Sequence, residues 1–206
     1  TQNFSTIATP INGTLSITPA PLTISGTTVA SKVYDGTTAA TITSAGTLQG
    51  RMSWDTGVTL QNANTPALSG TAVFASANAN PTQAVTITGM ALSGTGASNY
   101  TLTQPTSVTA AITPKALTVS GVVVADKVYD GSTTATITTG GNLSGVLAVD
   151  SGNVVLSTGS AVFGSSNVAY LAGSVTSQSV TLSGYGLTGT AAGNYSVTQP
   201  SGVLAT

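Results

Sequence analysis

The chain repeats itself. Lys32 recurs as Lys127, Tyr100 as Tyr195 and Gln104 as Gln199, each displaced by 95 residues, the difference between 127 and 32. The same shift carries Leu22 to Leu117, Ile24 to Val119, Ile42 to Ile137, Leu48 to Leu143, Val85 to Val180 and Leu92 to Leu187. A period this long exceeds a solenoid rung and matches a small domain. Ile17-Thr18-Pro19-Ala20 matches Ile112-Thr113-Pro114-Lys115. Residues 1–20 therefore read as the tail of a preceding copy, residues 21–115 as one unit and residues 116–206 as a second. The chain opens and closes in strand-like text, as a piece of a longer array would. Proline at each joint fixes φ and keeps the preceding residue extended, so the link is expected to be stiff.

Charge is scarce, and its placement is informative. Four Lys/Arg and five Asp/Glu give a net charge of −1, and there is no Cys or His. Six of these nine charges form register pairs: Lys32 with Lys127, Asp35 with Asp130, and Asp55 with Asp150. A chain without a basic face has no electrostatic footprint for nucleic acid or anionic lipid. No apolar run is long enough to span a bilayer, so no membrane insertion is expected. Without Cys there is neither a disulfide framework nor thiolate chemistry.

Thr, Val, Ser, Gly and Ala dominate, and apolar and polar residues alternate with period two throughout. This pattern predicts strands near 22–29, 32–34, 38–43, 46–49, 58–61, 71–75, 83–88, 99–104 and 107–112, repeated in the second unit. Turn signals every 8–12 residues suit a sandwich. The expected fold is all-β: two tandem antiparallel β-sandwich, immunoglobulin-like domains arranged as an elongated rod. Register breaks at 61–71 and 164–179, which are expected to be surface connections.

Within this frame the text KVYDG stands out at Lys32–Gly36 and Lys127–Gly131. Alternation places Lys32 and Tyr34 on one face and Val33 on the other. Asp35-Gly36 and Asp130-Gly131 read as tight hairpin turns or bulges, with Gly accepting positive φ. The Lys stem is expected to lie along the Tyr34 or Tyr129 ring while its ammonium pairs with the Asp. Asn99-Tyr100 and Asn194-Tyr195 look like the start of an immunoglobulin strand F, where a Tyr hydroxyl bonds back to nearby backbone.

KVYDG, followed by Asn-Tyr-x-x-Thr-Gln-Pro at 99–105 and 194–200 and by the joint TAAITPKALTVSG at 109–121, resembles the YDG-type repeat of large bacterial exoproteins of the filamentous-haemagglutinin kind. The resemblance covers nearly the whole chain. It implies tandem, secreted β domains displayed on a bacterial surface within an adhesin, with neighbouring repeats as partners.

Chemistry-bearing motifs are few. Gly184-Tyr185-Gly186-Leu187-Thr188-Gly189 fits a dinucleotide loop, but no helix is expected after it, so it reads as a glycine-rich turn. Without His or Cys, and with no Gly-x-Ser-x-Gly elbow, no enzyme is expected. Calcium through Asp35, Asp55 and loop carbonyls would have a poor ligand set, and no cofactor is expected. Asn-x-Ser/Thr occurs at Asn3, Asn12, Asn99, Asn142 and Asn194. An aligned Lys, Asn and Asp in each unit raises a Lys32–Asn99 and Lys127–Asn194 isopeptide cross-link, against the simpler reading of an ion pair. Trp54, aligned with Val149, marks either a ligand patch with Arg51 or a loop side chain covering a strand face. The expected role is that of monomeric, non-catalytic stalk repeats. The alternative is an adhesive module binding carbohydrate, host surface or biofilm components, or ice, through its variable loops.

Overall fold

The computed structural model describes residues 16–61 and 70–206, and these are all-β. Helical turns are limited there to three single-turn 3-10 segments, Ala97–Asn99, Ala148–Asp150 and Ala192–Asn194. Burial alternates as the sequence requires. In Asn80–Thr88 the side chains of Gln83, Val85 and Ile87 point inward, while Thr82, Ala84, Thr86 and Thr88 face water. The outer threonines bond across strands, as Thr71 Oγ1 does with Thr88 Oγ1 at 3.1 Å. β-branched residues on such a pleated surface satisfy both faces at once.

In the first unit, Ala20–Ser25 lies between Tyr100–Leu102 and Thr47–Gln49. A five-stranded sheet runs in the order Lys32–Val33, Val108–Thr113, Asn80–Thr88, Thr71–Phe74, Ala39–Ala40. The second unit repeats the scheme with Lys115–Val124 between Tyr195–Val197 and Ile137–Ser144, and with Thr134–Ala135, Ser160–Phe163, Gln178–Ser183 and Val203–Ala205 in one sheet. Gly46 and Gly141, equivalent positions, have φ of 81° and 87°. A Cβ at either would strike the carbonyl of Ser25 or Ser120, so only glycine lets these neighbouring strands close.

Not every pairing is antiparallel. Ala20–Leu22 runs parallel to Tyr100–Leu102, Lys115–Leu117 parallel to Tyr195–Val197, and Ile112–Thr113 parallel to Lys32–Val33. The first strand of each unit changes partner midway. Its start is held by a strand from the far end of the unit, which is the long crossover that parallel pairing needs. The Asp35-Gly36 turn also differs from the expected hairpin. Lys32–Val33 and Ala39–Ala40 are opposite edges of one sheet, so the turn carries the chain across the end of that sheet. The strand Leu92–Ser93, paired with Thr59–Leu60, carries no clear alternation in sequence. Of the two variable segments, residues 62–69 lie outside the described residues, as do residues 1–15 of the leading segment with Asn3 and Asn12. The other variable segment holds an added hairpin, Tyr170–Leu171 with Ser174–Val175.

Only Pro114 separates Val108–Thr113 from Lys115–Val124, so strand runs almost directly into strand across the boundary between units. The core reflects this. Leu22, Val58 and Tyr100 form a cluster at the start of unit one, and Phe163, Val180, Leu182 and Tyr185 belong to one in unit two. The largest cluster straddles both units. It joins Tyr34, Phe74, Val85, Ile87 and Ile112 to Leu117, Val154, Ala191 and Tyr195.

The repeated Gln of Thr-Gln-Pro closes a strand end. Gln104 accepts the Met90 N–H and donates to the Met90 carbonyl, both at 2.9 Å. Gln199 does the same to Tyr185, again at 2.9 Å. One side-chain amide thus satisfies the backbone as another strand would. Replacing Gln199 with Ala should destabilise the second unit by about 1–3 kcal/mol, read as a lower urea midpoint with an unchanged m-value.

Candidate functional site: the joint between the units

The KVYDG end is built by Lys32. Its ammonium donates to Asp35 Oδ1 at 2.8 Å, to the Thr37 carbonyl at 2.8 Å and to Thr37 Oγ1 at 3.0 Å. Asp35 Oδ1 also accepts the Thr37 N–H at 2.9 Å, closing the turn over Gly36, whose φ is 78°. In the second unit, Lys127 donates to the Ser132 carbonyl and Oγ and to the Thr134 carbonyl, and pairs with Asp130 at 2.8 Å. The Lys32 ammonium lies over Phe74, 5.6 Å from the ring centroid, and not along Tyr34 as alternation suggests. Tyr34 has turned away to the boundary. The Lys hydrogen bonds hold the Asp35 and Asp130 carboxyls down to about 2. Each Asp side chain is half exposed, so solvent screens most of this attraction, and the pairs set loop geometry more than stability.

The other end of a unit is built by Asp and Tyr. The 3-10 turn Ala148–Asp150 presents the Asp150 carboxylate, and the turn Ala192–Asn194 feeds Tyr195 into its strand. Tyr195 OH donates to Asp150 Oδ2 at 2.6 Å and accepts the Leu147 N–H at 3.1 Å. In the first unit, Tyr100 OH donates to Asp55 Oδ2 at 2.6 Å and accepts the Met52 N–H at 3.3 Å. The Tyr hydroxyl therefore does reach backbone, but its stronger partner is a carboxylate. Asp55/Asp150 and Tyr100/Tyr195 are both visible as register pairs; their equal separation in each unit is the signal that could have joined them.

The two ends meet at the boundary. Tyr34 OH donates to the same Asp150 Oδ2 at 2.9 Å. Its ring meets that of Tyr195 edge-to-face, with centroids 5.4 Å apart and planes at 79°. Asn194 Oδ1 accepts the Ala79 N–H at 2.8 Å, and Asn194 Nδ2 donates to Asn78 Oδ1 at 3.2 Å. Gly36 faces Val149 and Leu147; a Cβ there would stand 3.1 Å from Val149 Cγ1. Tyr34, Asp150, Asn194 and Tyr195 are exposed by 5, 8, 7 and 6%. A carboxylate this buried needs hydrogen-bond donors, and one of them comes from the other unit.

Other expected groupings do not form. Asp35 and Asp55 have separate partners, so the calcium set of two carboxylates is not assembled; among the described residues no group of three or more His, Cys, Asp or Glu could hold a metal. The isopeptide pairs are not brought together either. All three hydrogens of the Lys32 ammonium go to the Asp35–Thr37 loop, and those of Lys127 to Ser132, Thr134 and Asp130. Asn194 is spent on Asn78 and Ala79, while Asn99 is exposed behind its own turn. Burial of Asn194 also leaves no room there for a glycan. Trp54 covers no strand face: it is 76% exposed, and Arg51 donates to the Thr56 and Val58 carbonyls. Gly184–Gly189 contains the strand Gly186–Thr188, and only the single 3-10 turn Ala192–Asn194 follows it, not the α-helix a dinucleotide loop opens.

Burial, and then the bond to Asp150, push the Tyr34 phenol from 10.0 to about 12. Burial and Asp150 also raise Tyr195. A phenol raised on folding favours the folded state below its unfolded value, and that contribution is lost as pH climbs through the folded one. The joint should therefore loosen between about pH 10 and 12. Absorbance at 295 nm should show a late-ionising component that shrinks in Tyr34→Phe, with a remainder from Tyr195 and the other raised phenols. Replacing Asp150 with Ala orphans two buried hydroxyls and should cost about 2–4 kcal/mol, measured by denaturant unfolding, with Asp150→Asn milder.

A YDG-domain family model matches residues 18–108 and again residues 113–202. No curated protein and no solved structure matches the chain. The two matched segments meet at the Pro114 joint and each carries one KVYDG end and one Asp–Tyr corner. The chain belongs to the YDG-domain family, with two such domains in tandem.

Proposed function

We propose that the two YDG domains are non-catalytic spacer units, stacked β-sandwiches forming a stiff segment of a secreted bacterial surface adhesin. The observation that carries this reading is the buried joint. A single residue, Pro114, links the strands of the two domains, and Tyr34 of one completes the hydrogen bonding of Asp150 in the other. A linker without slack and a buried boundary resist bending, which is what a spacer must do; domains merely tethered together would expose polar interfaces and move freely. Adhesin context and surface location rest on the resemblance of the KVYDG and Asn-Tyr-x-x-Thr-Gln-Pro motifs to repeats of large exoproteins. The sandwich reading rests on the inward–outward alternation of strands such as Thr71–Phe74 and Asn80–Thr88.

Small-angle scattering tests the proposal. The wild-type chain should give an elongated, two-lobed particle with a radius of gyration well above the ~17 Å of a compact domain of this length. Tyr34→Ala should broaden the distance distribution as the joint begins to bend. A compact globule for the wild type would overturn the spacer reading.

A further inference from the structure

The two outer ends of the pair differ from the two inner ends in one respect: nothing among the described residues covers them. Tyr129, the counterpart of Tyr34, is 63% exposed instead of 5%. No atom lies within 4 Å of a Cβ built on Gly131, whereas Gly36 is against Val149. At the opposite end, Asn99 is exposed where Asn194 is buried, and Asp55 is only partly covered. Met52 and Trp54, the counterparts of Leu147 and Val149, are 43 and 76% exposed. Each outer end thus presents the residues that make the inner joint, without their partner.

The Tyr129 end also carries a cavity. The added hairpin Tyr170–Val175 stands beside Tyr129 and walls a cavity of about 280 Å³, lined by Val128, Tyr129, Phe163, Val168, Ala169 and Val175 among others. The first domain has no such hairpin at its own KVYDG end, where Val149 and Leu147 come against Gly36. The widened seat is at the end of domain two, and the large side chain, Trp54, is at the start of domain one. An exposed apolar surface of this kind marks an interface, and aromatic side chains filling pockets dominate such contacts.

We propose that the Tyr129 end of this chain docks head-to-tail on the Met52–Trp54–Asp55 end of a second copy, with Trp54 entering the cavity and Tyr129 OH donating to Asp55 beside Tyr100. The inference rests on the spacer reading and extends the observed inner joint to the outer ends.

Trp54 is the only Trp, so it reports its own burial. A dilute wild-type chain is titrated with a large excess of Trp54→Phe chain, which emits no Trp fluorescence but keeps its Tyr129 end. Emission should shift to the blue and saturate. Tyr129→Phe added to the titrant should weaken the half-point about tenfold, and Tyr129→Ala should abolish the shift. Both positions are exposed, so these variants keep the fold. No shift up to millimolar titrant, or an undiminished shift with the Tyr129→Ala titrant, overturns the proposal. A shift produced instead by a panel of soluble glycans, and not by the second copy, would assign the cavity to carbohydrate and equally overturn it. Scattering at low concentration reads the inner joint separately, so a failed docking leaves the spacer reading intact.

Discussion

One buried carboxylate organises the boundary. Asp150 is only 8% exposed, and a carboxylate so largely shielded from water must be met by donors. Tyr195 supplies one from the same domain at 2.6 Å, and Tyr34 supplies another from the neighbour at 2.9 Å. Moving the first domain away would remove a donor, an edge-to-face ring contact and the Asn194–Ala79 bond together. The joint is therefore cooperative: its parts share atoms, so partial bending breaks several at once. The same Asp–Tyr pair at Asp55 and Tyr100 keeps its 2.6 Å bond without a neighbour. The pair is thus an element of each domain first and, at Asp150, a receptor for the preceding domain second.

The sparse ionic groups follow from this design. Lys32 stitches the chain where it passes over the end of a sheet, and Asp35 caps the turn that follows. With those atoms fixed, Tyr34 points outward along the stack while Val33 stays on the water side. Asp126, which has no acidic counterpart in the first domain, acts in a similar way. Its Oδ1 accepts the Thr206 N–H at 2.7 Å, as Ser31 Oγ accepts the Ala111 N–H at 3.0 Å in the first domain. Lys32, Asp35 and Asp126 thus satisfy backbone groups that a crossing loop or a strand end leaves without a partner. Elsewhere the hydroxyls of Thr and Ser meet the water, with no ion pair to be desolvated.

Much of this was legible in the residues. The 95-residue register pointed to two tandem units, which the two family matches support, and period-two alternation located most strands and put Lys32 and Tyr34 on one face and Val33 on the other. What stayed hidden was long-range. Parallel pairing of Ala20–Leu22 with Tyr100–Leu102 joins the two ends of a domain, and no local pattern encodes which remote strand is chosen. Burial of Tyr34 depends on a residue of the second domain 116 positions away in sequence, so KVYDG alone reads as a surface turn. Segment 164–179 reads as a plain surface connection because its short hairpin has too few residues to show a period. Trp54 reads as a cover because a large aromatic is usually buried; its aligned partner, Val149, shows that this position belongs to the joint and not to the strands.

Tandem repeats raise a question of order on which the inner joint bears. If every joint were identical, any domain could follow any other and slippage would cost nothing. A Cβ on Gly36 would stand 3.1 Å from Val149 Cγ1, so the inner joint is tight at this position. The first domain carries the same Asp–Tyr bond at Asp55 and Tyr100 but has Trp54 where the second has Val149. The Asp–Tyr bond is common to both domains, and the side chain at position 54 or 149 is what differs between them. A difference in size at one contact discriminates through rejection of the wrong neighbour more than through extra attraction to the right one.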